Sequence, residues 1–463
     1  MAGLDCGIDI GSTNVKVALS DEAGRAVFTR AVSTPRVSDG TGVATNASAL
    51  VALLEAMIVE GWRDVAGGEP LRSVAVAGVG EDGVGVTDCL TPTGVALPWF
   101  DARAASEADE LFASASETPL AGIPIAADRT AAKWLWLRRN RPHELRDARF
   151  WIALTDYPAV CWTGRPFMSN TLAPRTACFN VYNRTWIADL LEAAGAPELP
   201  PLLGAGDVVG SMRAGPLIAS GAASKRTIVV AGGHDHPIAA TAIRRHNPAA
   251  RVDSMGTANL VYGEALGRGA PYFDPFMAFS VPPLRREGVA CLGVMELSNA
   301  LAPVRTDESL FRSVLAAERI PGAPVGPPFS FSPVSEDVLA IRLALESASF
   351  HTRRMFAAMD DAGAPPGPIY ATGGWARSRA FLALRASVLN APIHLIDEPE
   401  LTAVGAAYLG AAAASGTSPS LEETRRVTVV DPIADWARIY EAAFPDIRRR
   451  LEEPARAKPR PQN

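Results

Sequence analysis

Gly7-Ile8-Asp9-Ile10-Gly11-Ser12-Thr13-Asn14-Val15-Lys16 is an apolar run that ends beside an aspartate, passes through small and hydroxylated residues, and resumes as a second apolar run. The pattern reads as a strand over residues 5–10, a tight turn at Gly11–Asn14 and a return strand over Val15–Leu19. A third apolar run around Ala26–Thr29 follows the turn Asp21–Gly24, so an antiparallel meander is expected. The first strand delivers Asp9 to its end, where small turn residues let phosphate oxygens approach backbone N–H groups and hydroxyls. A carboxylate there could hold Mg²⁺ through water, because magnesium keeps most of its hydration shell. An ordinary hairpin carrying an aspartate fits the same residues.

Working outward, Leu50, Leu53, Leu54, Met57 and Ile58 fall at helical spacing, with Asn46 and Ser48 available as caps. Ser73–Val79 is a continuous apolar run, as expected of a strand buried on both faces. A similar order recurs later. Arg251–Asn259 and Leu260–Glu264 read as strand, Gly-Thr turn and return. They are followed by a helix over Glu336–Asp361, a strand at Pro368–Ala371, a helix over Arg379–Leu389, a strand at Ile393–Ile396 and an Ala-rich helix over Thr402–Ala414. This repeated order predicts a duplicated α/β domain with a cleft between the copies. The expected division is 1–247 and 248–463, with a hinge near Asn247–Val252. Pro321–Pro333 reads as a loop, Trp436–Arg449 as a docked helix and 453–463 as a frayed polar tail.

Composition excludes several classes. The 463 residues are 48% hydrophobic and carry 44 Lys+Arg against 50 Asp+Glu, a net charge of −6. That is too apolar for a disordered chain, and it offers no basic surplus for non-specific nucleic-acid binding. No apolar run is long enough to cross a membrane, and the acidic Asp5 and Asp9 argue against a signal peptide. The five cysteines are scattered without CxxC spacing, which favours reduced thiols and a cytoplasmic location. Cys6 and Cys89 read as small buried hydrophobes in strands.

Three further segments carry chemistry. Asp253-Ser254-Met255-Gly256-Thr257-Ala258 mirrors the first turn, and two such turns facing across a cleft would bracket a polyphosphate. Tyr370-Ala371-Thr372-Gly373-Gly374-Trp375-Ala376-Arg377-Ser378 places glycines between a strand and a helix, permitting close approach of a planar ligand or phosphate. Val229-Val230-Ala231-Gly232-Gly233-His234-Asp235-His236-Pro237 ends a buried strand and projects a carboxylate. Asp235 could accept a proton from a substrate hydroxyl. The competing reading, His234 and His236 as a metal pair of a hydrolase, lacks a third ligand motif.

In this order the segments resemble the FGGY family of carbohydrate kinases, over residues from about 5 to 415. Pro98-Trp99-Phe100-Asp101-Ala102-Arg103, Lys133-Trp134-Leu135-Trp136-Leu137 and Asp156-Tyr157…Trp162-Thr163-Gly164 are similar to further segments of that family. The resemblance implies two duplicated RNase H-like (actin-like ATPase) domains and phosphorylation of a ketose or polyol hydroxyl by ATP with Mg²⁺. It also implies site residues. Asp235 would be the base, and Asp9 with Asp235 would hold the metal. Gly11, Ser12, Thr13, Lys16, Gly256 and Thr257 would bracket the phosphates, and Gly373, Gly374 and Ala376 would lie against the adenosine. Glu81, Asp82, Asp101, Arg103, His234 and Asp235 would meet the substrate. The expected partner is a small sugar or polyol, with neither nucleic acid nor membrane; a homodimer is admissible.

The chain also departs from the family pattern. Val79-Gly80-Glu81-Asp82-Gly83 stands where Gly-Gln-Met-His-Gly or Gln-Arg-Glu is common, and Asn170 stands near a frequent carboxylate. Trp375 replaces a third glycine and could stack on adenine, narrow the site or simply pack. Ala258 replaces a serine, and the Gly-Glu-Arg-x-Pro segment is absent. A catalytically silent sugar- or nucleotide-binding relative is the alternative from another class.

Overall fold

A computed structural model describes residues 3–65, 68–115, 121–267, 274, 276–322, 335–417, 419–420 and 425–457. Most of the Pro321–Pro333 segment lies outside the described residues. The N-terminal meander is present: β1 (Asp5–Ile10), β2 (Asn14–Ser20) and β3 (Ala26–Ser33) pair antiparallel, and β1 is buried along its whole length. Helix α1 (Ala47–Val65) packs on β2 and β3 through Leu50, Leu54, Met57 and Ile58. Asn46 caps it by accepting the Ala49 N–H at 3.0 Å, while Ser48 lies inside the helix.

Strands β4 (Ser73–Gly78), β5 (Val208–Ser211) and β6 (Ile228–His234) complete the first sheet, in the order β5-β6-β4-β1-β2-β3. Strands β1, β4 and β6 run parallel, which buries both their faces and explains their unbroken apolar sequences. Helix α2 (Asp235–Arg244) leaves β6, and the turn at residues 247–250 leads into the second sheet.

That sheet repeats the first. Strands β7 (Arg251–Met255), β8 (Asn259–Ala265), β9 (Met277–Ser280), β10 (Val289–Met295), β11 (Ile369–Thr372), β12 (Ile393–Ile396) and β13 (Val427–Val430) lie in the order β9-β10-β8-β7-β11-β12-β13. The antiparallel set β7, β8, β10 answers β1, β2, β3, and the parallel set β7, β11, β12 answers β1, β4, β6. This is the two-domain actin-like ATPase arrangement, α/β in class. Helices α3 (Glu336–Asp361) and α4 (Arg379–Leu389) pack against each other beside this sheet, with bounds close to those read from periodicity.

Helix α5 (Leu401–Ser415) belongs to the second half in sequence yet packs on β1, β4 and α2 of the first. Its alanines and glycines permit very close contact: a Cβ on Gly7 would overlap the Ala403 carbonyl oxygen, and one on Gly405 would lie 2.5 Å from the Ile238 oxygen. A helix apolar on every side is a buried helix, and this one is.

Two expectations are corrected. The last helix, α6, runs over Ala434–Ala457, so the tail expected at 453–463 is helical up to Ala457. Leu451 packs on the core, and Glu452 is held by Arg448 Nε at 2.9 Å and Arg354 Nε at 3.6 Å, which gives the last turns an anchor. Cys6 is buried in β1, but Cys89 is exposed. It lies in the turn that the Leu90 N–H closes on the Thr87 carbonyl at 2.9 Å.

Candidate active site

Register brings the acids together. On the parallel strands Ile10 pairs with Gly78, and Gly78 with His234. Asp9, the segment after Gly78 and the His234-Asp235 pair therefore emerge at the same carboxyl end of three parallel strands, where open α/β sheets bind ligands. A bulge at Ala231–Gly233 turns β6 into this end. Gly233 has φ +139°, and a Cβ on Gly232 would strike the Val76 carbonyl, so both positions need glycine. The Thr171 hydroxyl accepts the His234 N–H at 2.9 Å and fixes the exit.

Asp235 opens α2. Its Oδ1 accepts the His236 N–H at 2.7 Å and lies 3.3 Å from His234 Nε2 and 3.7 Å from His236 Nε2. Burial, aided by Arg175, His236 and Arg129, holds the His234 pKa well below its usual value, so that ring is neutral. With Nε2 facing a carboxylate, the single imidazole proton belongs there. The buried Nδ1 has no partner among the described residues. Asp9 is driven up to about 7 by burial and by the nearby Asp235 charge; Lys16 Nζ, 3.7 Å away, opposes this and Glu400 adds to it. Two carboxylates beside open turns suit Mg²⁺, which binds through one or two carboxylates and keeps waters and phosphate oxygens for its other positions. Among the described residues no group of three acidic, histidine or cysteine side chains forms a closed metal cage, and the histidine pair stands without a third ligand.

In the first turn the Gly11 carbonyl accepts the Thr34 hydroxyl at 2.7 Å, Ser12 O accepts from Arg36 at 2.7 Å, and Thr13 O accepts the Thr34 N–H at 2.9 Å. These bonds brace the turn through its carbonyl oxygens, and with Ser12 half-buried and Thr13 exposed a ligand can reach it. In the second turn Ser298 N–H binds Thr257 O at 2.9 Å. Gly373, at φ +96°, lies against this turn, since its Cβ would be 2.6 Å from the Met255 carbonyl. Gly374 faces open space. Ala376 is wholly buried, so its side chain offers nothing to a nucleotide and the Gly373-Gly374 backbone is the accessible part.

Trp375 is held by its own neighbours. Its Nε1 donates to Ser298 Oγ at 3.4 Å, and its ring meets Phe311 edge-on at 5.9 Å with the Arg305 guanidinium 5.8 Å from the ring centre. Through Ser298 it props the second turn, which favours packing over stacking on adenine. Beneath that turn lies a fully buried network. Arg385 donates to Asp253 at 2.8 Å, Asn259 at 2.9 Å and Thr352 at 2.8 Å, and Asn259 donates to Asp253 at 2.5 Å. Asp253, which mirrors Asp9 in sequence, thus faces the interior.

In the segment that leaves β4 and in the strip that follows it the acids differ sharply. Glu81 is clamped by Arg129 and Arg175, which hold its pKa below the ordinary value despite burial. Arg175 reaches it across Gly80, where any Cβ would lie 2.7 Å from Arg175 Cγ and 3.0 Å from the His234 ring. Asp101 and Arg103 bond each other at 2.6 Å, and Arg103 also bonds Asp39 at 2.6 Å. These predicted substrate contacts are engaged with protein partners. Asp82 has no side-chain partner as close: both its oxygens are buried without a well-formed hydrogen bond among the described residues, with Lys133 Nζ at 4.0 Å, and burial, opposed by Lys133 and by the Trp99 backbone, drives its carboxyl up to about 6.

An unsatisfied buried carboxylate is costly unless a ligand supplies donors. Because the folded chain holds the Asp82 proton more tightly than the unfolded chain, this residue costs stability as pH rises from about 4 to 6. Burial outweighs the distant ion pair, so Asp82→Asn is expected to raise stability at pH 8 by roughly 3 kcal/mol, with no gain below pH ~4, while weakening sugar binding. Urea unfolding of both proteins at each pH checks this; a less stable variant at pH 8 would contradict it.

Arg129, Arg175, Thr171 and Glu400 were not legible as site residues in the sequence. Only Lys133 had a signal, as one of four lysines inside a family-like segment.

The models of the FGGY family of carbohydrate kinases match residues 4–242 for the N-terminal domain and 294–414 for the C-terminal domain. The chain is 25% identical to the xylulose kinase of Streptomyces coelicolor, covering 95% of this chain and 94% of that one. It is 22% identical to the L-fuculokinase of Escherichia coli K12, covering 73% and 77%. The crystal structure of a xylulose kinase from Rhodospirillum rubrum superposes with a TM-score of 0.83 at 21% identity, over 98% of this chain and 99% of that one. Family models for both domains together match more than half of the residues: the chain belongs to the FGGY family of carbohydrate kinases, phosphotransferases with an alcohol group as acceptor.

Proposed function

We propose that the chain transfers the γ-phosphoryl group of ATP to a hydroxyl of a ketose sugar or polyol, with Asp235 as general base. Kinases of this family use ATP. The observation that carries the reading is the arrival of Asp9, the segment after Gly78 that bears Asp82, and Asp235 at one end of three parallel strands, with the accessible Ser12-Thr13 turn next to Asp9 in the chain. Asp82 accepts substrate hydroxyls. Asp235 takes the proton of the attacking hydroxyl as its oxygen bonds to the γ-phosphorus and ADP departs. Neutral His234, its N–H toward Asp235, keeps that carboxylate oriented. Ser12, Thr13, Lys16, Gly256 and Thr257 receive the phosphates, and the Gly373-Gly374 backbone lies against the adenosine. Asp9 and Asp235 would hold Mg²⁺, which when bound offsets charge on the phosphate oxygens. Closure about residues 247–252 excludes water. The substrate is a free small molecule, and the setting proposed is the cytoplasm.

The test is ATP turnover with Mg²⁺ against ketoses, aldoses and polyols. ADP release that rises with a ketose or polyol supports the reading. If no sugar raises it while calorimetry still registers sugar or nucleotide, the chain is a silent binding relative.

A further inference from the structure

Glu400 stands immediately before α5, at the junction of two functional segments. Its N–H donates to Glu398 Oε1 at 3.0 Å; Glu398 in turn is paired with Arg425 at 2.5 Å, and its carbonyl accepts the Thr372 hydroxyl at 3.3 Å. Thr372 ends β11 just before Gly373, so Glu400 is tied to the adenosine-side segment of the second half. Its carboxylate crosses to the first half, where Oε2 lies 2.7 Å from Lys16 Nζ. The same ammonium is 3.7 Å from Asp9 Oδ2. Lys16, Glu400 and Asp9 all keep some exposed side-chain surface, so a ligand can reach them.

One ammonium therefore stands between two carboxylates and is drawn to the nearer. We infer that Glu400 is a positioning residue that holds the Lys16 ammonium off Asp9, leaving Asp9 free for Mg²⁺ and Lys16 turned toward the phosphates. The inference rests on the kinase reading. Without the Glu400 charge, Asp9 is the remaining acid within 4.0 Å of Lys16 among the described residues. The lysine would close on it and compete with the cation.

The test is calorimetric titration of the full chain with ADP, with and without Mg²⁺. For Glu400→Gln the gain in ADP affinity on adding Mg²⁺ is expected to fall about tenfold, beside a smaller loss of metal-free ADP affinity, about threefold, as Lys16 leaves the phosphates for Asp9. Adding Lys16→Met to Glu400→Gln removes the competing cation and is expected to restore the gain. An unchanged gain in Glu400→Gln, an equal loss with and without metal, or a double variant as poor as the single one overturns the inference. Should Glu400→Gln fail to fold, Glu400→Asp decides, since it keeps the charge: a retained gain supports the positioning role, and its loss overturns it. A parent chain that binds no ADP overturns the kinase reading together with this one, whereas a parent with a normal gain beside an unaffected Glu400→Gln overturns only this one.

Discussion

Replacing Asp235 with alanine should lower sugar-dependent ADP release about 10³-fold or more. A positioned general base is worth roughly 10²–10⁴ in rate, and Asp235 is also proposed to share the metal with Asp9. The carboxylate is well placed for both tasks: it opens α2 at the end of β6, is bonded by the His236 N–H and is flanked by neutral His234. Sugar affinity, measured by calorimetry without nucleotide, should change far less, because Asp82 remains. The measurement is initial rate beside the parent under saturating ATP. A variant that turns over as fast as the parent would remove Asp235 from the chemistry and with it the reading of that strand end.

The largest loss of stability is expected from Arg385→Met. Asp253, Asn259, Thr352 and Arg385 are all fully buried and meet one another at 2.5–2.9 Å. Removing the guanidinium strands the Asp253 carboxylate in a dry interior, and breaking a buried pair in this way costs about 3–5 kcal/mol. Asp253 and Asn259 flank the Gly256-Thr257 turn, so the apparent KM for ATP should rise as well. Adding Asp253→Asn should recover part of the loss, since the stranded charge is then gone. Urea unfolding of the parent, single and double variants measures the coupling. A single-variant loss below ~1 kcal/mol would show that the network does not support the hairpin.

The comparison of reading with structure turns on range along the chain. Strands and helices were legible because their signals are local: alternating or continuous apolar runs, glycine turns and a cap at Asn46. The antiparallel meander of β1–β3 and the β7–β8 pair follow from such runs, whereas β10, which completes the repeat, was not read, and the order of elements already implied a duplicated α/β fold. Asp9 and Asp235 could be singled out because each lies where an apolar run breaks at small residues, and Asp82 only through the family resemblance. Cys89 and the 453–463 tail misled for the same reason in reverse. Their local composition was read without the turn that exposes the one, or the Arg354 and Arg448 contacts to Glu452 from which the helix runs on to Ala457; residues 458–463 lie outside the described residues.

What the sequence determined by itself was the fold class, the succession of most of the elements and, through the family resemblance, a set of candidate acids. Which acids are free and which are spent only the tertiary structure decided. Glu81 and Asp82 are adjacent and alike in composition, yet one is clamped by Arg129 and Arg175, from positions 48 and 94 residues away, and the other is left without a well-formed hydrogen bond among the described residues. Asp9 and Asp253 head similar turns, yet one faces Lys16 and the other Arg385, 132 residues along the chain. Charge neutralisation acts over a few ångströms in space, and that distance bears no relation to separation in sequence.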